Sequence, residues 1–93
     1  LDIIPPKIIR VYYEEELAGL LTILTDEEST CVYSIKDCDY DFEKGEVMPQ
    51  EFAKEHSANW NVAWTYYIKC KDEYENVPPS GSCTMIVHPY SVI

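Results

Sequence analysis

The chain has 93 residues, 46% apolar and 13% aromatic, so it makes one domain with material for a core and is not a disordered segment. Its 17 acidic against 7 basic residues give a net charge of −10, which argues against nucleic-acid binding, because phosphate recognition needs clustered Lys and Arg. The eight tyrosines suit a thin sandwich two faces deep, where the ring is buried and the hydroxyl reaches the edge.

Residues 1–6 read as a stiff linker, since Pro5 and Pro6 favour extended polyproline geometry. The domain follows over 7–90, with 91–93 a tail or the start of a next linker. Residues 7–13 predict a first strand with Ile9, Val11 and Tyr13 on one face. Glu14, Glu15 and Glu16 make a charged connection to a second strand at 20–25, entered at Gly19. Asp26, Glu27, Glu28 and Ser29 form a tight polar turn, and 30–35 a third strand that carries Cys31 and Tyr33 together. Residues 36–49 are irregular and acidic.

Helical propensity at 51–57 is overruled by the all-β setting, where a short edge strand anchored by Phe52 fits better. After a loop at 59–63 comes the clearest strand, 64–71. Tyr66, Ile68 and Cys70 alternate with Tyr67, Lys69 and Lys71, the period of a half-buried strand. Turn chemistry fills 72–76. The connection 77–81 holds Pro78 and Pro79 and cannot be a central strand, because proline donates no ladder bond. The last strand is 82–88. Strands about ten residues apart with turn signals between them predict a sandwich, not βαβ units.

The four cysteines are separated by 7, 32 and 13 residues, with no Cys-x-x-Cys pair of the kind zinc sites use. They read as two disulfides, which places the chain in an oxidising compartment, secreted or at the cell surface. No apolar run is long enough to span a membrane, so no direct membrane insertion is expected. The sequence opens at Leu1 with neither a methionine nor a signal peptide, and reads as one module cut from a longer secreted or anchored protein.

Several stretches together are similar to the immunoglobulin-like, fibronectin-type-III-like modules of archaeal and bacterial cell-surface proteins. They are Thr25-Asp26-Glu27 before Cys31-Val32-Tyr33-Ser34, Met48, residues 56–60, Tyr66-Tyr67-Ile68-Lys69-Cys70-Lys71-Asp72, and Asn76. The likeness runs over about 5–90. It implies an all-β, disulfide-stapled, immunoglobulin-like β-sandwich of about seven strands. It also implies a non-catalytic role in tandem extracellular proteins, whose partners are neighbouring domains of the same chain or other surface proteins.

The resemblance makes Tyr66 the corner tyrosine, its hydroxyl bonded to backbone in the preceding connection. It pairs Cys31 with Cys70, which leaves Cys38 with Cys83. On the residues alone, Cys31–Cys38 with Cys70–Cys83 stays open, because a straight strand carries Cys38 about 23 Å from Cys31. The first pairing needs the chain to turn back near Lys36 and Asp37. The family often has glycine where this chain has Glu75, so Asn76 is expected to take the left-handed position instead. Antibody-type domains bridge their two sheets, whereas a Cys31–Cys70 bridge here joins neighbouring strands of one sheet.

Other candidate chemistry has blander counterparts. Asp37, Asp39, Asp41 and Glu43 place hard oxygens at alternate positions, in outline a calcium loop. The EF-hand order is not matched, and a solvated acidic loop is the reading taken, with no metal and no cofactor. His56 stands between Glu55 and Ser57, an acid–base arrangement on paper. No glycine-rich oxyanion loop accompanies it, so His56 is expected to be structural and the chain not an enzyme. His88 is expected to be exposed at the end of the last strand. Trp60 and Trp64 sit near a sandwich tip where exposed rings stack on sugars; the simpler expectation is that they close the core. The sequence therefore reads as a structural or interaction module of a stalk, filament or adhesin. The alternative is a calcium- or carbohydrate-binding β-sandwich module.

Overall fold

The computed structural model describes residues 6–14, 20–49, 53–59, 61, 63–79 and 81–88, without the side chains of 12–14 and 20. The expectations for the 1–5 part of the linker, Glu15, Glu16, Gly19, Phe52, Trp60, the side chain of Tyr13 and the 91–93 tail lie outside the described residues. Pro6 is buried.

Among the described residues the fold has six antiparallel strands: β1 (Ile8–Glu14), β2 (Leu20–Ser34), β3 (Glu46–Val47), β4 (Ala53–Asn59), β5 (Tyr66–Lys71) and β6 (Met85–Val87). The order β1-β2-β5-β6 forms one sheet, with β3 and β4 also paired to β2. The first half of β2 lies between β1 and β4, and its second half lies between β3 and β5. The sheet curls because one long strand serves both halves.

The second and third strands expected from the sequence are therefore one strand of 15 residues, and the tight turn at Asp26–Ser29 is not there. Polarity looked like a reverse turn, but the hydroxyls do a different job. Thr25 Oγ1 donates to the carbonyls of Glu27 (2.7 Å) and Lys54 (3.3 Å), and Ser29 Oγ donates to Thr25 Oγ1 (3.2 Å). These bonds satisfy the backbone at a bend while the chain stays extended. Across the bend β2 advances from Leu24 to Ser29 while β4 advances only from Glu55 to Ala53. Extra residues on one strand raise local twist and turn the strand from one half of the sheet into the other.

A bulge also corrects the first strand. Ile8 faces Thr25 and Arg10 faces Leu24, so β1 advances two residues while β2 advances one. Ile9 is the extra residue and is 66% exposed, whereas Ile8 is buried and Val11 packs on the core. The phase of the strand thus changes at Ile9, and the expected face of Ile9 with Val11 does not exist.

Elsewhere period two holds. Tyr66, Ile68 and Cys70 of β5 are buried against Leu21, Ile23 and Cys31 of β2, with Val87, Met48 and Ile8 completing the core. The β4 strand pairs only with β2 among the described residues and supplies buried His56.

Candidate functional site

Two disulfides organise the C-terminal half of the sheet. Cys31 and Cys70 are directly opposed register partners on β2 and β5, bonded and fully buried, with Cα atoms 4.1 Å apart. Their bridge ties neighbours within the sheet. Cys38 and Cys83 form the second bridge, half-buried, with Cα atoms 5.5 Å apart. The chain turns back just after β2. Lys36 N–H donates to Ser34 Oγ (3.2 Å) and Asp39 N–H to Asp37 Oδ1 (3.0 Å), local bonds that end the strand and swing Cys38 toward Cys83.

This second bridge lays the segment between β2 and β3 over the outer face of the sheet. A 3₁₀ turn at Phe42–Lys44 lies within the segment. Tyr40 donates its hydroxyl to Tyr67 C=O (2.6 Å), and its burial pushes the phenol far above the ordinary tyrosine range. Lys69, opposite Val32 and expected to face outward, is only 1% exposed beneath Tyr40. Its Nζ donates to Tyr40 C=O (2.7 Å) and sits 4.6 Å from the Tyr40 ring centroid. Lys71 Nζ sits likewise 4.6 Å from the Phe42 ring. Gly45 closes the cover against buried Val32. Sequence reading missed this second layer; its signal was Tyr40 and Phe42, two rings interleaved among the carboxylates.

Asp37, Asp39, Asp41 and Glu43 are all exposed on that cover. Among the described residues, no three His, Cys, Asp or Glu side chains are grouped as a metal site. An open acidic cleft of about 640 Å³ lies at the bend of β2, lined by Asp26, Glu27, Glu28, Lys54 and Glu73.

His56 is buried inside the sheet, its Nε2 2.8 Å from Ala53 C=O and 3.3 Å from Ser29 Oγ. It stands at the bend with Thr25 and Ser29. Exposed Glu55 adjoins it on the strand, and alternation directs neighbouring side chains to opposite faces. His88, expected to be exposed, is half-buried, with Nδ1 3.3 Å from Thr65 Oγ1.

Tyr66 is buried at the start of β5. Its hydroxyl donates to Asn59 C=O and accepts from Asn61 N–H (2.9 Å), spanning the connection from β4. Trp64 is half-buried edge-on to Tyr66, ring centroids 6.0 Å apart, and Tyr33 packs on the other side at 5.4 Å. Burial raises the phenols of both Tyr33 and Tyr66.

The turn after β5 needs a correction. Glu75, not Asn76, adopts the left-handed backbone, with φ of 63°. Asn76 instead binds Asp72: its N–H reaches Oδ1 (2.8 Å) and its Nδ2 reaches Oδ2 (2.9 Å), while Tyr74 N–H also reaches Oδ1 (2.9 Å). Burial alone raises the Asp72 carboxyl, but the bonds from Asn76 and Tyr74 outweigh it and hold the group below the ordinary aspartate range. With the turn organised by this carboxylate, Glu75 adopts the left-handed backbone despite its Cβ.

No helix among the described residues is long and apolar enough to cross a membrane. Comparison with family models, curated proteins and solved structures finds no match for the chain.

Proposed function

We propose that this chain is a non-catalytic structural module of a larger extracellular or cell-surface protein such as a stalk, filament or adhesin. In this reading it is an immunoglobulin-like β-sandwich, and its partners are neighbouring domains or other surface proteins. The observation that carries the reading is the pair of overlapping bridges. Cys31–Cys70 begins before Cys38–Cys83 and ends inside it, so the two closed loops interlock along the sequence. Bridges of this kind persist where thiols are oxidised, and they suit a module that must keep its length under load.

The consequence is mechanical. Pulled from both ends, the extended chain runs to Cys38, crosses the bridge and continues from Cys83, so 45 residues of separation drop out of its length. At about 3.3–3.6 Å per residue that is roughly 150 Å of hidden length. Single-molecule stretching of the oxidised and reduced chain tests this. The oxidised chain is expected to unfold in a resolved event and to extend about 150 Å less than the reduced one. Equal extension in both states, or an oxidised chain that lengthens without resistance, would remove the basis for a load-bearing role.

A further inference from the structure

The two bridges differ in what they hold and in how far solvent reaches them. Cys31–Cys70 is sealed in the core, whereas Cys38 and Cys83 are both half-buried. The buried bridge fastens β2 to β5, which the strand ladder already joins from Thr30–Lys71 to Ser34–Tyr67. The other fastens a segment with little ladder of its own. Between the end of β2 and the two-residue β3, the cover is held by the Cys38–Cys83 bridge, the Gly81 N–H bond to Cys38 C=O (3.2 Å) and the contacts of Tyr40, Phe42 and Gly45. It also carries Asp37, Asp39, Asp41 and Glu43, all exposed. Their like charges repel one another, and the repulsion favours the open segment.

We propose that Cys38–Cys83 is a thiol-sensitive latch, whose reduction lifts the acidic cover from Val32 and Lys69 while the Cys31–Cys70 core stays intact. The reductant is an external dithiol. One of its thiolates attacks a sulfur of the bridge, forms a mixed disulfide and displaces the other cysteine as thiolate. The second thiol then displaces the remaining cysteine. Two electrons and two protons pass to the protein, and the reductant leaves as its own disulfide. The lysine ammonium, sealed in the oxidised chain, becomes accessible on a sheet face from which the negative cover has moved away.

Graded dithiothreitol on the oxidised chain tests this. Free thiols are trapped with iodoacetamide, amines are acylated with an N-hydroxysuccinimide ester, and peptides are mapped by mass spectrometry, with exposed Lys7, away from the cover, as internal reference. The latch predicts that Cys38 and Cys83 are alkylated at least about ten-fold faster than Cys31 and Cys70, since the core bridge must wait for a larger opening. Lys69 should be acylated in the singly reduced species while the near-ultraviolet signal of the Trp64–Tyr66 contact persists. Simultaneous opening of both bridges, a Lys69 that stays protected in the singly reduced species, or loss of the core signal with the first bridge would each overturn it.

Discussion

Removing one oxygen from Tyr66 tests how the β4–β5 connection is anchored. The hydroxyl donates to Asn59 C=O and accepts from Asn61 N–H, so Tyr66→Phe deletes two hydrogen bonds and keeps the ring. Each bond contributes about 1 kcal/mol net. Asn59 is exposed and Asn61 half-buried, so water re-satisfies part of what is freed. The full desolvation penalty for stranded buried groups therefore does not apply. The expected loss is about 1–2 kcal/mol, or a melting temperature lower by roughly 4–8 °C per kcal/mol for a domain this size. Urea denaturation should show a lower midpoint with an unchanged slope, because ring burial and exposed surface are the same. Amide exchange at Asn61 should accelerate more than at Ile68. A stability change under about 0.3 kcal/mol, or unchanged exchange at Asn61, would refute the anchoring role, since both bonds would then be worth nothing net.

Three further substitutions probe other places. Glu75→Gly should stabilise by about 0.5–1 kcal/mol, because the left-handed backbone disfavours residues with a Cβ. The pair of half-buried Lys71 with exposed Glu75, 3.6 Å apart, offsets little of that; a destabilised variant in denaturant melts would contradict it. Gly45→Ala should destabilise by about 1–3 kcal/mol, since a Cβ there would stand 2.6 Å from Val32 Cγ2 and 2.9 Å from Tyr40 Cε2. A neutral result would mean that the cover does not press on Val32. Asp72 is held below its ordinary pKa when folded, so its ionised form favours the fold above the unfolded aspartate range, and that stability is lost as pH falls through the folded value. Melting temperature against pH should thus fall less steeply on the acid side for Asp72→Asn than for the native chain. Parallel curves would sink this assignment.

What could be read from the sequence follows from how local the determining physics is. The strand at Tyr66–Lys71 was legible because Tyr66, Ile68 and Cys70 alternate onto the core face, while burial of Lys69 on the other face comes from a distant segment. The first strand was legible in place but not in phase, since nothing in Ile8-Ile9-Arg10 announces that Ile9 bulges out against its partner strand. At Asp26–Ser29 four polar residues suggested a reverse turn, yet only the fold supplies the Lys54 carbonyl that Thr25 bonds across the bend. Glu75 misled for a related reason. Asp72 organises the turn through its carboxylate, so the left-handed position is fixed by a side chain three residues earlier. Around the bridges, cysteine count gave two disulfides, but the buried Lys69 came from Tyr40 folding over it, a contact between segments 29 residues apart.

Non-reducing peptide mapping of the chain taken from its native source bears most directly on a doubly bridged module of an oxidising compartment. The expected result is two cross-linked peptide pairs, Cys31 with Cys70 and Cys38 with Cys83, and no free thiol. Four alkylatable thiols in the freshly isolated chain, or a Cys31–Cys38 link in place of the interlocked pair, would contradict it.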